Sequence, residues 1–229
     1  MSLGKARRPV KYYPVNLNIT GKKCIVLGGG RVAERKVESL LKCGGAVTVI
    51  SPWLTPQLKM LLSQGSIQHT DRDYRPGDLK DAFLVFGATD DPGVNEEASQ
   101  EAQGNGILVN IVDTPEICNF IVPSVMDRDD LVIAISTNGK SPALAKRIRQ
   151  ELEAVYGEEY CLFLTILGAV RERLLKTSRD SDNNRLTFSR LIDSDMLCLI
   201  RERKREGINN ILKETLGQGY SLEELRIIF

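Results

Sequence analysis

Residues 24–33 read CIVLGGGRVA. Four apolar residues, two of them β-branched, run straight into three glycines, which is the pattern of a short buried strand ending in a tight turn. From Arg31 the period changes: Val32, Ala33, Val37, Leu40 and Leu41 recur at helical spacing up to Lys42. The turn between strand and helix fits G-x-G-x-x-A. Gly28 allows the turn, Gly30 lets a pyrophosphate approach the backbone, and Ala33 lets the helix lie close to the sheet. Unpaired N–H groups at the helix start, at Arg31 and Val32, then favour an anion. A glycine-rich turn without a ligand is the plainer alternative. The strand before it and the helix after it are the context in which the dinucleotide reading prevails.

Outward from this turn the chain alternates strand and helix. Residues 47–50, 67–70, 83–87 and 107–112 read as strands, and 54–62 and 92–103 as helices. Continuous apolar strands between helices imply a parallel sheet covered on both faces, hence an α/β, Rossmann-type domain over residues 1–113. Its ligand edge would carry Ser51 and Pro52 after the second strand, Ala88 and Thr89 after the fourth, and Asn110 on the fifth. The acid usual at the end of the second strand is missing: Val49-Ile50 runs into Ser51 and Pro52, so local chemistry does not choose between NAD and NADP.

Residues 114–157 form a small α+β middle segment. Two strands are expected at 120–122 and 131–136, then a polar loop, then a helix over 143–156 with Ser141 as N-cap and Pro142 at its first position. Leu144, Ile148, Leu152 and Val155 give that helix an apolar stripe. The segment is too small to fold alone, which predicts a homodimer. Residues 158–229 read as an all-helical domain, with helices at 161–175, 186–203, 208–216 and 222–229 and a polar link at 177–184.

Composition narrows the function classes. A net charge of +1 predicts neither a nucleic-acid nor a membrane-surface partner. Five widely spaced cysteines without a CxxC pair suit reduced thiols in the cytosol. The basic start lacks the apolar core of a signal peptide, and no apolar run approaches membrane-spanning length. A single histidine, His69, rules out a His-based triad and a metal site of several histidines, and no metal ligand is assigned.

Five segments carry a resemblance. YPVNL (13–17), GGGRVAERK (28–36), GATDDPGVN (87–95), NIVDTPEICNFIVPSVMDR (110–128) and ISTNGKSPALAKRIR (135–149) are similar, in the same order, to the precorrin-2 dehydrogenase domains of siroheme synthases. The resemblance covers about residues 13–156. It implies NAD+-dependent oxidation of precorrin-2 to sirohydrochlorin by a homodimer, and some members also insert Fe2+. It further implies that Asp113, just past the fifth strand, is the catalytic carboxylate, a position that by itself also suits a turn residue before Pro115. Asn119, Ser136, Lys140 and Ser141 are the expected contacts to a substrate rich in carboxylates. The other reading of the glycine turn and helical tail is an NAD(H)-sensing regulatory module that docks a partner.

Overall fold

A computed structural model describes residues 11–177 and 181–229. The chain divides into two compact units, 1–122 and 123–229.

The first unit holds five strands: β1 (Lys23–Leu27), β2 (Ala46–Ile50), β3 (Gln68–Thr70), β4 (Leu84–Gly87) and β5 (Leu108–Ile111). All pair in parallel, in the order β3-β2-β1-β4-β5. The order reverses beside β1, so the glycine turn leaves the sheet at the point where ligands of such sheets collect. Helices α1 (Arg31–Lys42), α2 (Pro56–Ser63) and α3 (Pro92–Gly104) connect the strands. The continuous apolar character of β1 is explained by its two partners. Cys24 and Val26 pack with Ala33, Val37 and Leu58 on one face, while Ile25 and Leu27 pack with Ala98, Ala102 and Leu79 on the other. Covered on both sides, such a strand alternates between cores rather than between core and water.

The stretch expected as a strand at 120–122 is not one. The chain after β5 makes a 3-10 turn over Pro115–Ile117 and then runs back along the free edge of β5, where the Asn119 N–H donates to the Val109 carbonyl at 3.1 Å. Phe120 packs edge-on against Phe86 at 5.7 Å, and Pro123 ends the pairing because it has no N–H to give. These contacts hold residues 114–122 to the first unit.

The second unit begins with an antiparallel ribbon, β6 (Ser124–Arg128) and β7 (Leu131–Ile135). Helix α4 (Pro142–Val155) follows, capped by the Ser141 hydroxyl, which accepts from the Leu144 N–H at 3.2 Å. Only Ala145 of this helix is buried; Leu144 and Val155 of the apolar stripe are exposed. Helices α5 (Glu159–Thr177), α6 (Ser181–Ile192), α7 (Met196–Arg201) and α8 (Arg205–Leu216) build a core around Ile166, Val170, Leu191, Met196, Ile208 and Leu212.

Two expectations for the tail change. The helix predicted over 186–203 is broken at Ser194, whose hydroxyl donates back to the Leu191 carbonyl and accepts from the Met196 N–H. The polar link predicted at 177–184 lies partly outside the described residues, and α6 already starts at Ser181. The last predicted helix, 222–229, is a single turn. Leu225 N–H bonds Ser221, and then Arg226 adopts φ 59°, which ends helical geometry. No helix among the described residues is long and apolar enough to cross a membrane.

Candidate functional site

The glycine turn is held by two backbone bonds. The Gly28 N–H donates to the Ile50 carbonyl at 2.9 Å, and the Thr55 N–H donates to the Gly29 carbonyl at 3.0 Å. The Thr55 hydroxyl also reaches Glu34 of α1 at 2.5 Å. The loop after β2 is thereby bound to both the turn and the helix that follows it.

The three glycines answer to different demands. A Cβ on Gly28 would lie 2.3 Å from the Ala88 carbonyl oxygen, and its φ of 103° strains any other residue. A Cβ on Gly29 would lie 1.8 Å from the Trp53 carbonyl oxygen. Both are required by the protein itself. Gly30 is not: its backbone is extended (φ −83°, ψ −175°), and a Cβ there would meet only the Trp53 ring, at an ordinary 3.5 Å. Nothing among the described residues needs a glycine at Gly30, whereas a phosphate brought down on the N-terminus of α1 would.

A cavity of about 560 Å³ opens at this point. It collects most of the cofactor residues expected from sequence: Gly28, Gly30, Arg31, Val32, Ser51, Pro52, Ala88 and Thr89 all line it. Ser51 is buried, and its hydroxyl faces the Trp53 N–H at 3.4 Å. Ala33 is not in the wall. It is fully buried in the core, as close packing of α1 on the sheet requires.

Two asparagines expected at ligands bond the backbone. The Asn110 side-chain amide donates to the Phe120 carbonyl at 3.0 Å. Asn119 accepts from the Val109 N–H and donates to the Ile107 carbonyl, both at 2.8 Å. It extends the sheet by mimicking a sixth strand on the edge of β5. Asn119→Ala removes both bonds and leaves a partly buried N–H unsatisfied. We expect it to lower stability by about 1–3 kcal/mol in urea unfolding while affinity for precorrin-2 stays unchanged. Lost affinity at full stability would return Asn119 to the ligand.

Asp113 lies two residues past β5, next to the end of β4, where Val112 N–H bonds Gly87. It is exposed, with φ 60°, and its carboxylate has no hydrogen bond or ion pair among the described residues. Ser136, Lys140 and Ser141 belong to the second unit, at the loop before α4. The Ser136 hydroxyl accepts from Asn138 N–H at 3.1 Å, Ser141 caps the helix, and Lys140 is exposed.

Sequence reasoning missed Trp53, Asp73 and Tyr74, which also line the cavity. Trp53 follows Pro52 directly. Asp73 and Tyr74 arrive from the loop after β3, and only the pairing of β3 beside β2 brings them near.

The comparisons agree with this geometry. Residues 15–124 match a family model described as NAD(P)-binding, and residues 128–154 match one described as sirohaem biosynthesis protein central. The chain is 36% identical over 203 residues to a siroheme synthase of Methylobacillus flagellatus and 35% identical over 207 residues to one of Nitrosomonas eutropha, covering 87% and 90% of this chain. A solved structure of SirC, a precorrin-2 dehydrogenase, superposes with a TM-score of 0.75 at 27% identity, covering 89% of this chain and 98% of that one. Over most of its length the chain is similar to these siroheme synthases and to SirC. It spans 44% of the length of each of the two siroheme synthases. The five-stranded sheet, the small antiparallel ribbon and the helical tail of this chain match elements of the SirC fold.

Proposed function

We propose that this chain oxidises precorrin-2 to sirohydrochlorin with NAD+, in the cytosol. Gly30 carries the reading: a glycine the fold does not need, at the start of a helix, on the wall of a cavity large enough for part of a dinucleotide. Bound NAD+ supplies the hydride acceptor. Gly30 and the N–H groups opening α1 receive the pyrophosphate, with Arg31 adding positive charge beside it. Ala88 and Thr89 form the wall on the β4 side. Oxidation also releases a proton from precorrin-2, and Asp113 is the carboxylate we assign to accept it, leaving NADH, a proton and sirohydrochlorin in balance.

The test is direct. Purified protein mixed with precorrin-2 and NAD+ is expected to form NADH and sirohydrochlorin in equal amounts, read by absorbance. NADH formation no faster than in the protein-free control sinks the reading.

We infer a homodimer formed by the second unit. A two-stranded ribbon is marginal alone, and here Val125 and Val132 are 39% and 51% exposed, with Leu144 and Val155 of α4 exposed as well. Sedimentation is expected to give twice the chain mass at micromolar concentration. Val132→Asp is expected to shift the equilibrium toward monomer. A monomer in the unmodified protein rejects the inference.

A further inference from the structure

We propose that Asp73 holds the adenosine ribose and makes the cavity choose NAD over NADP; the proposal rests on the dinucleotide reading above. In dinucleotide folds a carboxylate at the end of the second strand usually takes the ribose hydroxyls. Here that end offers none. Ser51 turns its hydroxyl to the Trp53 N–H, and Pro52 has no donor. The sheet register supplies a substitute. Ile50, the last residue of β2, pairs with Thr70, the last of β3, so the chains leaving the two strands emerge side by side. Asp73 is three residues beyond Thr70, lines the same cavity as Gly30 and Trp53, and its carboxylate has no hydrogen bond or ion pair among the described residues.

The loop carrying Asp73 is braced, as a preorganised contact requires. The Arg72 guanidinium grips Asp78 through two bonds of 2.7 and 2.8 Å, and donates to the Asp73 carbonyl at 2.9 Å. The Tyr74 hydroxyl donates to Glu101 of α3 at 2.5 Å, and Glu101 also accepts from the Gly77 and Leu79 N–H groups. His69 bonds the Ser51 carbonyl at 2.8 Å, tying the ends of β3 and β2 together. With Arg72 committed to Asp78, the cation nearest to Asp73 in sequence is withdrawn from a 2′-phosphate. A free carboxylate accepts from ribose hydroxyls and repels that phosphate.

The experiment uses the whole chain and its single tryptophan, Trp53, as reporter. NAD+ and NADP+ are titrated separately while Trp53 fluorescence is followed, with calorimetry as a second measure. The unmodified protein is expected to bind NAD+ more tightly. Asp73→Ala and Asp73→Asn are expected to weaken NAD+ about tenfold while NADP+ holds or gains, and Asp73→Glu is expected to restore part of the preference. The melting temperature should not move, because the carboxylate bonds nothing among the described residues. An unchanged NAD+/NADP+ ratio in Asp73→Ala overturns the proposal alone. So does an NADP+ preference in the unmodified protein, which would transfer the 2′-phosphate to Arg31. If neither dinucleotide binds by calorimetry, the dinucleotide reading falls and this proposal with it.

Discussion

Asp113→Asn is expected to lower turnover of precorrin-2 by about 10²–10⁴, the usual worth of a positioned general base. The substitution suits its setting. At φ 60° asparagine is among the residues that best tolerate the left-handed region. The carboxylate bonds nothing among the described residues, so the amide breaks no contact. Affinity for NAD+ and the melting temperature should therefore stay near those of the unmodified protein, while the rate alone falls. Asp113→Ala is a weaker probe, because alanine in this backbone conformation adds about 1 kcal/mol of strain. Near-normal turnover in Asp113→Asn removes the base role. A large fall in melting temperature would make Asp113 a turn residue instead.

Gly30→Val is expected to cut dinucleotide affinity by at least about 100-fold, close to 3 kcal/mol, and to leave the fold standing. The extended backbone accepts valine, and among the described residues only the exposed Trp53 ring lies against the added Cβ. Gly29→Ala should do the reverse. Its Cβ would be driven into the Trp53 carbonyl, which cannot move without dragging the loop after β2, so destabilisation of about 3 kcal/mol or more is expected. Calorimetry and thermal unfolding of the two variants separate the roles. Unchanged NAD+ affinity in Gly30→Val means that no pyrophosphate rests on the start of α1.

What the sequence discloses here is mostly what depends on local order. Residues 24–33 declare strand, turn and helix because each signal sits beside the next, and Gly28, Gly30, Ser51, Ala88 and Thr89 follow from one rule about the carboxyl edge of a parallel sheet. Asn119 was not legible in the same way. An asparagine after a 3-10 turn suits a ligand and a backbone bridge equally, and only the return of the chain along β5 discloses the bridge. Asp73 was hidden for the same reason: it enters the cavity through the pairing of Ile50 with Thr70, a contact between strands that no spacing announces. The tail failed differently. Residues 222–229 have helical periodicity, yet one turn forms and stops at Arg226, because apolar spacing says which residues want to be buried and not how many turns are needed to bury them. Likewise the stripe on α4 is real as a pattern, but Leu144 and Val155 stay exposed among the described residues.

The bonds from Thr55 to Gly29 and to Glu34 have a practical meaning for anyone who would rebuild this protein. The turn after β1 and the loop after β2 are stitched into one piece, although about twenty residues of chain separate them. A graft that exchanges the β2 loop to alter cofactor choice, but keeps the native turn, would have to bring its own backbone as close to Gly29 as the Trp53 carbonyl lies. The two segments form a single transplantable cassette, and chimeras cut between them should misfold where chimeras that carry both remain soluble.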